Sequence, residues 1–95
     1  MDAFLIIDVD VKNPSAFEEY RSEVPTLIRK HGGEYLVRGG NLRVLEGDWQ
    51  PSRLILLRFP DKASVDAFLS DPEYQPLKAL RQRVAKTTMV VVDGV

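Results

Sequence analysis

Two runs without a polar side chain late in this sequence, Leu54–Leu57 and Met89–Val92, restrict the fold more than any other feature. Each sits inside a segment of strand length, Arg53 to Phe59 and Thr87 to Val92, and each reads as a strand. Side chains at consecutive strand positions project to opposite faces, so a sheet built from these runs has to be covered on both. A third strand, Ala3 to Val11, points the same way. Leu5, Ile7, Val9 and Val11 form one apolar face, while Phe4, Ile6, Asp8 and Asp10 form a second that is apolar at its start and acidic at its end.

The segments between these strands carry a helical period. Asn13-Pro14 has the form of an N-cap followed by proline at the first helical position, where a missing N–H removes no bond. Phe17, Tyr20, Val24, Leu27 and Ile28 then recur at spacings of three and four up to Lys30, and Gly32-Gly33 ends the pattern. Pro25 lies inside it and is expected to kink or divide the helix, because it removes a backbone donor and crowds the preceding turn. Glu34 to Arg38 reads as a strand with Tyr35 and Val37 on one face and Glu34, Leu36 and Arg38 on the other. Gly39-Gly40-Asn41 follows as a turn, with Leu42 to Glu46 as an antiparallel return and 47–52 as a loop. Pro60 closes the strand after it. Asp61 caps a helix that packs through Ala63, Val65, Ala67, Phe68 and Leu69; Asp71-Pro72 interrupts it, and Tyr74, Leu77, Leu80, Arg81 and Val84 mark its continuation.

The resulting order, β-α-β-β-α-β, is the ferredoxin-like plan of an α+β domain: a four-stranded antiparallel sheet with helices on one face. Residues 1–95 are expected to form a single domain of this kind. The second sheet face still carries apolar side chains and no element is left to cover it. A second copy related by twofold symmetry is the economical cover, so a homodimer is expected.

Composition excludes several partners and chemistries. With 13 Lys and Arg against 14 Asp and Glu, and a formal charge of −1, the chain lacks the basic surplus that phosphate backbones require, and nucleic acid is not expected. No apolar run reaches the roughly 20 residues of a membrane span, and the apolar start, flanked by Asp2, Asp8 and Asp10, does not resemble a signal peptide. A cytoplasmic location is expected. Without cysteine there is no disulfide, thiol nucleophile or thiolate metal site, and a single histidine among scattered carboxylates has no metal-ligand spacing. Neither glycine pair matches a dinucleotide or P-loop pattern, so no cofactor is expected.

Residues able to bind or transform a small molecule are concentrated between Lys30 and Arg53, which holds the only histidine and the only tryptophan. His31 has two roles open to it: a general base near neutrality with Asp8, Glu34 or Glu46 as orienter, or a cation at a helix C-terminus. Asp8 is a second candidate for moving a proton. Arg38 and Arg53, with Arg43, have the chemistry to hold a carboxylate or enolate, or else to pair with Glu34, Glu46 and Asp48. Trp49 suits a pocket lid or an interface anchor. Tyr20, Tyr35 and Tyr74 suit either the lining of a pocket between helices and sheet or the edge of the core.

Four segments carry a resemblance to a known family. They are Y-R-x-x-V-P-x-L-I-x-K-H-G-G-E-Y-L-V-R-G-G from Tyr20, L-E-G-D-W-x-P-S-R-L-I-L-L-R-F-P from Leu45, S-D-P-E-Y-x-P-L-x-x-L-R from Ser70, and V-V-V-D-G from Val90. Together and in this order they resemble the domain-of-unknown-function 1330 family, over nearly the whole chain. His31 stands where a tyrosine is commoner, so the resemblance lends no weight to its imidazole. The family is similar to the dimeric α/β-barrel superfamily, in which two ferredoxin-like subunits pack sheet against sheet. What this implies is a small dimeric α/β-barrel protein that is either a cofactor-independent enzyme, monooxygenase- or isomerase-like, acting on a small anionic or aromatic metabolite, or a non-catalytic homodimer that binds a metabolite or another protein.

Overall fold

The computed structural model describes residues 1–95. Its elements run β1 (Ala3–Val11), α1 (Pro14–Lys30), β2 (Glu34–Arg38), β3 (Leu54–Phe59), α2 (Lys62–Ser70), α3 (Gln75–Val84) and β4 (Ala85–Asp93). The strands form one sheet in the order β2-β3-β1-β4, antiparallel throughout. This is the α+β ferredoxin-like fold, with the second helix of the plan divided in two.

Register explains how the sheet acquires an inner and an outer face. Leu5 lies opposite Leu57 and Val91, and Ile7 opposite Ile55 and Met89, so these side chains share the face toward the helices. Leu5, Val9, Leu57 and Phe59 are buried there against Phe17, Val24, Leu27 and Ile28 of α1 and Val65, Phe68, Tyr74 and Leu77 of the other helices. Phe4 pairs with Arg58 and Val92, and Ile6 with Leu56 and Val90, which places them on the outer face. In the single chain that face is uncovered: Val90 is 61 % and Val92 49 % exposed. No helix is long and apolar enough to cross a membrane.

Local signals in the sequence have direct counterparts. The Asn13 side chain accepts from the Ala16 N–H at 3.2 Å, with Pro14 at the helix start, and the Asp61 side chain accepts from Ser64 N–H at 2.7 Å. Gly33 is required by proximity, since a Cβ there would sit 2.7 Å from both Ile28 Cγ2 and Phe59 Cε1. The interruption at Asp71-Pro72 separates α2 from α3.

Three expectations are corrected. First, Pro25 does not divide α1, which runs through it as one helix. Pro25 has no N–H to give to the carbonyl four residues back, and that carbonyl, of Arg21, accepts instead from Arg38 Nη2 at 3.4 Å. Second, Leu42–Glu46 forms no strand. The outer edge of β2 stays unpaired, the segment runs as irregular chain beyond Gly39, and Leu45 is left 83 % exposed. Third, an irregularity in register between Tyr35 and Val37 inserts Leu36 as an extra residue. Arg38, opposite Ile55, is thereby moved onto the inner face with Tyr35.

Candidate functional site

At the end of the inner face where β1 meets the start of α1, an open cleft of about 320 Å³ is lined by Val9, Val11, Phe17, Arg21, Ser52 and Arg53, among others. Its placement follows from the fold. Val9 donates its N–H to the Arg53 carbonyl at 2.9 Å, which fixes Arg53 beside the inner-facing Val9 just before β3 begins. Gly39, with φ +68°, packs so closely on the Arg53 side chain that a Cβ would lie 2.5 Å from Nε. That Nε is buried without a hydrogen-bond partner, and Arg53 makes no ion pair. Arg21 is paired with Glu18 at 3.2 Å, whereas Arg38 lies 4.5 Å over the ring of Tyr35 with no carboxylate partner. Burial pushes the Tyr35 hydroxyl up, and the charges of Arg38, Arg29 and Arg53 oppose that shift. Glu18, the partner of Arg21, also lines the cleft, so the positive corner at Arg53 adjoins walls that are partly apolar and carry one paired carboxylate.

Further along the same layer is a narrow, partly open cavity of about 30 Å³, lined only by apolar and aromatic residues, among them Ile7, Tyr20, Tyr35, Phe68, Tyr74 and Met89. Tyr20 and Phe17, whose ring centroids are 5.2 Å apart, stand between it and the cleft. The hydroxyls of Tyr20 and Tyr74 are hydrogen-bonded at 2.8 Å. Burial, then the neighbouring Tyr74, push the Tyr20 hydroxyl far above its ordinary value, and Arg81 acts in the opposite direction. Arg81 is only 7 % exposed, has no ion pair, and its Nε has no partner.

The two residues considered for proton transfer are not brought together. Asp8 lies on the outer side of β1 and anchors the preceding loop: its Oδ1 accepts from the Ser52 and Arg53 N–H groups at 3.0 and 3.4 Å, and its Oδ2 from Trp49 Nε1 at 3.2 Å. Trp49 is thus held at a shallow outer-face depression with Ile6, Thr88 and Val90. His31 is on the helix side, where its Nε2 meets Asp71 Oδ2 at 2.8 Å. The orienter is Asp71, rather than Asp8, Glu34 or Glu46. Asp71 also accepts from Lys30 Nζ at 2.8 Å and from the Glu73 N–H at 2.9 Å. Lys30 first, then His31 and that N–H, hold its carboxyl well below the usual range. His31 does not line this cavity; it touches its wall through Phe68, 6.3 Å between centroids.

Two groups here were not singled out as functional by sequence reasoning. Arg81 carried a faint signal, an arginine at a position of the apolar period. Asp71 reads as a helix breaker, and its convergence with Lys30 and His31 across forty residues of chain leaves no local trace.

Strand order, register and the layer between helices and sheet define the class: a ferredoxin-like α+β protein with a small-molecule-sized cleft beside its inner sheet face. The chain belongs to the domain of unknown function family DUF1330, whose model matches residues 2–95. No curated protein matches it. Among solved structures it is similar to a protein of unknown function from Rhodopseudomonas palustris, at 16 % identity and TM-score 0.81, over 99 % of this chain and 82 % of that one. It is similar also to SnoaB, a cofactor-independent oxygenase from Streptomyces nogalater, at 14 % identity and TM-score 0.66, over 99 % and 93 %. A dimeric ferredoxin-like protein of unknown function from Jannaschia sp. CCS1 matches at 14 % identity and TM-score 0.65, over 99 % and 100 %. At such identities the likeness concerns the fold.

Proposed function

We propose that the protein is a homodimer in which each subunit binds a small acid with an aromatic or aliphatic body, the carboxylate on Arg53 and the body against Val9, Val11 and Phe17. The observation that carries this reading is Arg53: a guanidinium held in place by Gly39, without a carboxylate partner, at the wall of an otherwise partly apolar cleft. A fixed, unpaired guanidinium is suited to a carboxylate, which it contacts through parallel N–H bonds. Arg38 adds positive charge, and Tyr20 and Tyr74 bound the deeper end. Dimerisation is supported by the apolar outer face, where Phe4, Ile6, Leu54, Leu56, Val90 and Val92 converge, and Trp49 at its margin contributes to the rim. The Jannaschia protein of this fold is dimeric.

The test is titration with phenylacetate. Hydrogen bonds to a charged group contribute about 1.5–3 kcal/mol, so Arg53→Met should weaken binding by roughly 10- to 150-fold with an unchanged circular dichroism spectrum. Equal affinity in the two proteins rejects the assignment.

A second reading is favoured by the buried charge of Arg81 beside the tyrosine pair, a setting that would stabilise an enolate formed from the bound acid. The dimer would then be a cofactor-independent enzyme, monooxygenase- or isomerase-like, in which His31, oriented by Asp71, is the candidate to move a proton. Asp8 would have to release the loop it anchors to serve instead. Turnover that survives His31→Gln undiminished removes His31 from that role.

A further inference from the structure

The narrow cavity poses a hydrogen-bonding problem that the acid-binding reading does not address. A tyrosine hydroxyl carries one donor hydrogen and accepting lone pairs. Tyr20 and Tyr74 bond to each other at 2.8 Å and make no other hydrogen bond, so the contact employs one of their two hydrogens. The other has no acceptor in the protein. Every residue lining the cavity is apolar or aromatic; Tyr74 is only 1 % exposed, and Tyr20 is half-buried. Buried polar groups are nearly always satisfied, and an unused O–H in such surroundings marks a place where an oxygen from outside belongs.

Size and charge narrow that oxygen. The free space of about 30 Å³ is close to the share of one water molecule in the liquid, about 30 Å³. It accommodates a single oxygen-sized group, not a whole ligand. The cleft of about 320 Å³ lies on the far side of Phe17 and Tyr20, with room for the body of a small molecule. Arg81, whose charge reaches Tyr20 and is balanced by no carboxylate, makes the nearby O–H a better donor and favours an electron-rich acceptor. Met89 on the cavity wall is the flexible side chain able to adjust around an arriving group.

We propose that the Tyr20–Tyr74 pair is a donor site for a carbonyl oxygen, so that the helix–sheet layer is selective for small oxo compounds, above all oxo acids. This rests on the reading that the layer binds a small molecule, but it does not depend on Arg53. Uncharged probes separate the two. Acetophenone and α-methylstyrene have nearly the same shape and differ in a C=O against a C=CH2. Both are titrated into 13C-methyl-labelled protein and followed at Met89 and Ile55, in the parent and in Tyr20→Phe/Tyr74→Phe. Removing both hydroxyls leaves no orphaned partner and preserves ring volume, so the double variant folds with near-parental stability. The single variants each keep one hydroxyl and serve as intermediates.

The expected result is a ratio of the two dissociation constants that shifts about tenfold toward the alkene in the double variant, a neutral hydrogen bond being worth about 1 kcal/mol or a little more. Comparing ratios between proteins cancels the different hydration of the probes. A ratio unmoved by the double substitution, or cavity methyl signals that neither probe shifts at millimolar concentration, overturns the proposal. Failure of phenylacetate to respond to Arg53→Met, with the ketone effect intact, overturns the acid reading alone.

Discussion

Substituting Val90 by lysine should dissociate the proposed homodimer while leaving each subunit folded. Val90 lies on the outer face opposite Ile6 and is 61 % exposed in the single chain, so a longer charged side chain there can extend into solvent within the subunit. Full burial of a valine contributes about 1.5–3 kcal/mol, and covering the exposed share recovers about 1–2 kcal/mol per subunit. Twofold symmetry counts the residue twice, which makes the loss about 2–4 kcal/mol and the weakening roughly 30- to 1,000-fold. Withdrawing two ammonium groups from water weakens the dimer further. Sedimentation equilibrium across nanomolar to micromolar concentrations measures the effect, with circular dichroism to establish folding. Asp66→Lys, on the exposed side of α2, is the control and should leave association unchanged. If Val90→Lys and the parent have the same dissociation constant, the outer face is not the interface. If the parent is a monomer of 10.8 kDa at micromolar concentration, there is no dimer to explain.

The remaining predictions concern the helix side and the cleft. Asp71 holds its proton less tightly folded than unfolded, so its contribution to stability is complete above the unfolded value near pH 3.9 and is lost as pH falls below it; Asp71→Asn should flatten this part of a denaturation-versus-pH curve, and an unchanged acid limb would dismiss the Lys30–Asp71–His31 cluster as a determinant. Gly39→Ala forces a non-glycine residue to φ +68°, destabilising by about 1–2 kcal/mol in chemical denaturation, and displaces Arg53, so phenylacetate affinity should fall with it; parental affinity would show that Gly39 does not position the guanidinium. In a stability cycle on Tyr20 and Tyr74, the single Phe variants should together be more destabilising than the double, because only the singles strand a hydroxyl; strict additivity would contradict the pair as described.

What was legible in the sequence was whatever is enforced locally. The alternation of Leu5, Ile7 and Val9, the Asn13-Pro14 cap, the glycine stop and the Asp71-Pro72 break each act through a few neighbouring residues, and together they determine the element order. Apolar runs at Leu54–Leu57 and Met89–Val92 carried the apolar character of both sheet faces. Illegible features depend on long-range register. Alternation put Arg38 opposite Tyr35 in sense, and only the irregularity at Leu36, a product of β2 pairing with β3, turns both to the same side. Leu42–Glu46 has a strand-like composition, but composition does not reveal that the chain leaves β2 without pairing along its free edge. The same holds for the site: Tyr20 and Tyr74 were recognisable as pocket-lining types, while their mutual hydrogen bond, the charge of Arg81 beside them and the capture of His31 by Asp71 arise only when distant segments converge.

The most direct test of the account is a crystal structure of the protein soaked with phenylacetate. The carboxylate is predicted to lie within hydrogen-bonding distance of the terminal guanidinium nitrogens of Arg53, with the ring against Val9 and Phe17. Phenylacetate bound elsewhere, or a cleft without it at a concentration that saturates binding in solution, would contradict the central claim.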